Sequence, residues 1–211
     1  MTAERTHRPE LLRWGYVLES ITLGWNVVGV IVLAVAALQA GSVALGGFGL
    51  DSLIEIGAST VVIWELSGTG EERQRRALRL IGYAFLLLAT YLAVQSLIVL
   101  AARITPHPSP LGIAWTGVTA MLMFALAAGK ARVGSALGNP VIQTEAKVTL
   151  VDGLLATAVL CGLVLNAWLG WWWADPLAAL VLVSYAIRES RTALTHGGPE
   201  VPSRGARLHD A

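Results

Sequence analysis

The chain has 211 residues, with 15 Lys and Arg against 14 Asp and Glu, and 55% of it is hydrophobic while only 14% is charged. A soluble globular domain carries roughly 25% charged residues, so this chain cannot cover its apolar residues with polar surface and lipid must form its outer layer. A nucleic-acid-binding class is excluded, because the basic residues are dispersed among apolar runs rather than gathered on one face. The single cysteine, Cys161, permits neither an intrachain disulfide nor a thiolate metal cluster.

A membrane-spanning helix needs about 20 mostly apolar residues. Six segments qualify in chain order: 11–40, 42–66, 77–102, 111–129, 140–169 and 175–194. The first is too long for a cleavable signal peptide, whose apolar region runs about 7–15 residues. Gly and Pro clusters separate the runs, from Gln39-Ala40-Gly41 to Gly138-Asn139-Pro140. Asn139-Pro140 and Asp175-Pro176 each set a capping residue before a proline, which marks the start of a helix. Asp175 is read as a cap in preference to an ion ligand.

Orientation follows from the basic residues. With the N-terminus in the cytoplasm, every Lys and Arg of the 15 except Arg103 falls on the cytoplasmic side. Six helices then leave both termini cytoplasmic. Trp171-Trp172-Trp173 falls at the outer interface as an aromatic belt. The expectation is an all-α membrane protein, a six-helix transmembrane bundle over residues 1–194, located in the cell membrane. Residues 195–211 form a short, polar, disordered cytoplasmic tail.

An ionised side chain near the bilayer centre costs roughly 2.5–3.5 kcal/mol, so buried acids are where function is sought. Glu65, Glu71, Glu72 and Glu189 lie at cytoplasmic ends and are read as surface charges. Asp51 and Glu55, at i and i+4, share one face of the second helix, and Ser59 continues their stripe. Asp51 lies about 14 Å from the start of its run at about 1.5 Å per residue, close to the midplane. Asp152, on the fifth helix with Thr149 on the same face, reaches a similar depth, about 18 Å from Pro140.

Glu145 reads as an ion pair with Lys147 in preference to a cytoplasmic entry group. Glu19, Thr22 and Asn26 form a weaker stripe on the first helix, where Glu19 either lines a cytoplasmic vestibule or pairs with a neighbouring helix. No basic residue falls near the midplane, so Asp51, Glu55 and Asp152 are expected to lack a protein cation. Either they are protonated and bonded to one another, or a mobile cation or protons complete the site.

Gly41-Ser42-Val43-Ala44-Leu45 followed by Leu50-Asp51-Ser52-Leu53-Ile54-Glu55-Ile56-Gly57-Ala58-Ser59 resembles the second helix of the cation diffusion facilitator family. Glu145 to Asp152 resembles that family's fifth helix, and Trp173-Ala174-Asp175-Pro176-Leu177-Ala178-Ala179-Leu180 the start of its sixth. The resemblance implies a six-helix antiporter that moves zinc, manganese, iron or a similar divalent ion out of the cytoplasm in exchange for protons. It carries the metal ligands over to Asp51, Glu55 and Asp152; from their own positions in the sequence, Asn26 and Thr149 are read as supplementary ligands and Glu19 as an ion-path residue. It also implies a homodimer, although no strong small-xxx-small motif marks an interface.

The chain departs from the family where a helix 5 histidine usually stands four residues before the Asp; here that position is Val148. The second helix 2 ligand is Glu55 where Asp is usual. The resulting set is all oxygen, which favours harder ions such as Mg²⁺ or Mn²⁺ over Zn²⁺. Most relatives carry a metal-binding cytoplasmic domain after helix 6, and regulation through one is not expected here. Asp152-Gly153-Leu154-Leu155-Ala156 also resembles the opening of a CDP-alcohol phosphotransferase motif, but Thr157 stands where that motif needs Arg. The chain is therefore not expected to be an enzyme and needs no resident cofactor. The remaining alternative is a non-transporting membrane protein that binds metal or packs against a partner.

Overall fold

The computed structural model describes residues 3–40, 42–68, 70–103, 107 and 109–196, and among these it is entirely helical and turn, without a strand. Six helices follow in order: α1 Ala3–Ala40, α2 Val43–Leu66, α3 Glu71–Ala102, α4 Pro110–Leu137, α5 Pro140–Leu169 and α6 Ala174–His196. Five of them, α1 to α5, are long and apolar enough to cross a membrane. α6 runs two residues past the expected boundary at 194, and residues 197–211 of the expected tail lie outside the described residues.

Local chemistry sets the helix ends. Ser42 and Ser109 cap α2 and α4 by accepting from the amides of Leu45 and Gly112. Asn139 caps α5, its Oδ1 accepting from Val141 at 2.8 Å and Ile142 at 3.2 Å, with Pro140 in the first turn as expected. Gly138 and Gly170 end α4 and α5 in the left-handed region, at φ 62° and 69°. The Asp175 side chain lies outside the described residues. Glu71 and Glu72 begin α3 and pair with Arg75 and Arg76, one turn on. Trp171 and Trp173 stack at 5.3 Å where the belt was expected.

Two helices extend beyond their apolar runs. α3 begins at Glu71 rather than 77, because its charged first turns remain helical. α4 continues through Gly129, Lys130 and Arg132 to Leu137 rather than ending at 129. That extension places Lys130 inside the bundle.

The helices fall into two groups. α1 packs on α2 and α4, α4 packs on α5, and α2 meets α5, so these four surround a common interior. α3 and α6 pack on each other and lean on that unit through α2 and α5. At Gly47 of α2 a side chain would run into the Tyr91 hydroxyl and the Gln95 amide, so α3 approaches the α2 backbone there. At Gly82 of α3, an added Cβ would lie 2.7 Å from Leu194 Cγ of α6. The Ser190 hydroxyl donates to the Gly82 carbonyl at 2.8 Å across the same contact.

Candidate functional site

The interior of the four-helix unit is a polar column. Asp51, Glu55 and Ser59 lie along the inward stripe of α2, as their spacing requires, and all three are buried. Asp152, Thr149 and Glu145 form the facing stripe on α5 and are buried as well. Their order along the two antiparallel helices stacks the groups in levels.

At the level farthest from Glu65, the Asp51 and Asp152 carboxyls face each other and interact across the α2–α5 contact. Each is 2% exposed. Neither Asp152 oxygen, nor Oδ2 of Asp51, has a hydrogen-bond donor. Two buried carboxyl groups facing each other need something positive or a shared proton between them.

One turn along, the Thr149 hydroxyl donates to Glu55 Oε1 at 3.0 Å. That hydroxyl also accepts from Lys130 Nζ at 2.8 Å. Lys130 is fully buried, at 0% exposure. Its ammonium lies 3.0 Å from Glu19 Oε2 of α1 and 3.1 Å from Glu145 Oε1 of α5. An ammonium has three protons, and these three neighbours surround it. Ser59 lies against Glu19, which closes the level from the α2 side.

Toward the Leu66–Pro140 end, apolar Val62 and Ile142 are buried between these groups and the surface. There Asn139 Nδ2 donates to Glu65 Oε2 at 3.2 Å. A cleft of about 440 Å³ opens beside them, lined in part by Arg8, Glu65, Glu71 and Asn139. Beyond Asp51 in the other direction the lining turns apolar, with Phe48, Leu155 and Val159 around a narrow void that Ser96 and Gln95 also edge.

The sequence expectations fare unevenly. Asp51 and Asp152 come together. Glu55 lies near Asp152 but its hydrogen bond goes to Thr149. Asn26 is buried and bonds the Thr22 carbonyl of its own helix. Glu19 pairs with a neighbouring helix instead of lining a vestibule. Among the described residues, no three His, Cys, Asp or Glu side chains converge closely enough to hold an ion as they stand.

Three readings need correction. The interior does hold a base, Lys130, because α4 carries on past the first charge that ended its apolar run. Glu145 pairs with Lys130 and not with Lys147, since residues two apart on a helix point to different sides. Lys147 reaches Glu189 of α6 at 2.9 Å instead. Glu65 and Glu189 are 7% and 8% exposed, so they are covered, hydrogen-bonded groups and not free surface charges.

Five long apolar helices around an ionisable interior define a multi-pass membrane protein set in a lipid bilayer. No protein-family model matches the chain. It is similar to transmembrane protein 163 of Xenopus laevis, with 24% identity over 189 residues, covering 82% of this chain and 66% of that protein. The chain thus spans just under two thirds of that relative's length, and the relative's name places it too in a membrane.

Proposed function

We propose that this protein carries a divalent metal cation across the membrane, bound midway between α2 and α5 by Asp51 and Asp152, with Glu55 as the third ligand. The observation that carries the reading is the Asp51–Asp152 pair, buried and face to face, with three of its four oxygens lacking a donor. Lys130 is hydrogen-bonded to Glu145 and Thr149 and ion-paired with Glu19, so it leaves this pair for a mobile cation. Glu55, one turn from Asp51, has only to exchange its Thr149 bond for the ion to complete an oxygen set suited to manganese, zinc or iron.

In this reading α6 is a sixth span and both termini are cytoplasmic. The cleft beside Glu65 is then the inner entrance, where Val62 and Ile142 must part for an ion to reach the acids, and the apolar layer at Phe48 and Leu155 closes the outer side. Rocking of the α3–α6 pair against the four-helix unit would open the outer side. Binding releases the protons that the empty acids share, which couples efflux to proton entry at the cell membrane. The reading is one of transport, not catalysis, and a homodimer is compatible with it. The resemblance to cation diffusion facilitators supports the same assignment.

The test is metal flux in proteoliposomes loaded with a Mn²⁺- or Zn²⁺-sensing dye. Wild-type protein should carry the ion, and Asp51→Ala and Asp152→Ala should abolish uptake. Wild-type rates in both variants would sink the reading. Binding without flux in the wild type would favour a non-transporting metal-binding protein, a reading to which the internal cation Lys130 lends some weight.

A further inference from the structure

Lys130 is unusual in its surroundings. Its ammonium sits among groups from three sides, with α1 supplying Glu19, α5 supplying Glu145 and Thr149, and Thr149 passing the contact on to Glu55 of α2. Three helices of the unit meet at this nitrogen, and the fourth, α2, reaches it through Thr149. The acids around it outnumber it, and among the described residues Oε2 of Glu145 and both oxygens of Glu19 are buried without a hydrogen-bond donor, Oε2 of Glu19 being held by the ion pair alone. Such a shell is what a metal ion would find if the ammonium were absent.

We propose that Lys130 is a tethered cation filling a second cation site, made by Glu19, Glu145 and Thr149 with Glu55 behind it, and that it thereby confines the mobile divalent ion to the Asp51–Asp152 pair. The ammonium also explains why no ready metal cluster exists at this level. Oxygens at 2.8, 3.0 and 3.1 Å from a nitrogen stand at hydrogen-bond distance. Hard divalent cations hold oxygens at about 2.0–2.6 Å, so the shell would contract by under about 1 Å per ligand around an ion. Lys130 is a positioning and specificity-determining residue here. It fixes how many ions the interior takes, and through Thr149 it sets which way Glu55 points.

The inference rests on the transport reading for its meaning, but its test does not. Mn²⁺ binding is measured by equilibrium dialysis on full-length protein in nanodiscs, for wild type, Lys130→Gln, Asp51→Asn/Asp152→Asn and the triple variant. The wild type should bind about one ion per chain and Lys130→Gln about two. The double Asn variant should bind none, and the triple variant about one. A charge swap, Glu19→Lys with Lys130→Glu, returns a tethered cation to the same shell and should restore the wild-type count.

If the wild type binds no ion, the Asp51–Asp152 reading fails while the triple variant still decides this one. No gain of an ion in Lys130→Gln or in the triple variant overturns the inference. If Lys130→Gln does not fold in metal-free buffer, the gain is read as recovery of monodisperse protein on adding Mn²⁺, and failure to recover counts equally against it.

Discussion

Along α3, which packs chiefly on α6, the buried residues are Ala77, Leu78, Ile81, Gly82, Phe85, Leu88, Ala89 and Leu92, before Ser96 brings in a hydroxyl. Around the interior of α1, α2, α4 and α5, Glu19, Asp51, Glu55, Glu145, Asp152 and Lys130 are buried instead. Lipid is as apolar as leucine, so the first contact gains nothing from leaving it and must be held by close packing. The four-helix unit is held by charge-assisted bonds whose strength grows where water is excluded, and whose loss leaves a stranded charge. The same chain thus carries a closely fitted apolar contact and a charged core that tolerates little change in composition.

Breaking the charged core should have the largest effect. Lys130→Met strands Glu19 and Glu145 without a counter-charge and should cost about 3–5 kcal/mol, read as a loss of thermal stability in metal-free detergent. Unchanged melting would mean the ion pairs contribute little. Crowding the fitted contact should cost less. Gly82→Val drives a side chain into Leu194 and toward its backbone nitrogen, 3.2 Å from an added Cβ, and should cost about 1–3 kcal/mol. Its cation affinity should stay at the wild-type value while transport slows; an equal loss of affinity would blur the distinction between the two groups.

The smallest effect belongs at the edge of the charged unit. Trp25 of α1 stacks on Trp115 of α4 at 4.6 Å and donates to the Thr119 hydroxyl at 3.0 Å. Trp25→Phe keeps the stacking and removes the bond, at a cost of about 0.6 kcal/mol, typical of hydrogen bonds between membrane helices. A cost several times larger would show that this bond sets the α1–α4 register.

The helices and half of the candidate site were legible in the sequence for the same reason. Apolar runs report spans, and i, i+4 spacing reports a shared face, so Asp51, Glu55 and Ser59 could be placed on one stripe without knowing what they face. The Asn139-Pro140 start was equally local. Lys130 was not legible. A run of hydropathy stops at the first charge, but the helix continues to Leu137 because backbone hydrogen bonds in lipid cannot be left open. Which acid a buried lysine meets depends on how helices are arranged around one another, and spacing along one chain does not carry that. Glu145 looked like a partner for Lys147 for this reason, and the Lys147 bond to Glu189 lay equally out of view.

The central claim is that the Asp51–Asp152 pair holds the carried cation. Mn²⁺ titration by calorimetry, on purified full-length protein with and without Asp152→Asn, tests it most directly. The account predicts saturable binding in the wild type and its loss in the variant, with the variant's helical content and monodispersity unchanged. Equal binding by both proteins would contradict it.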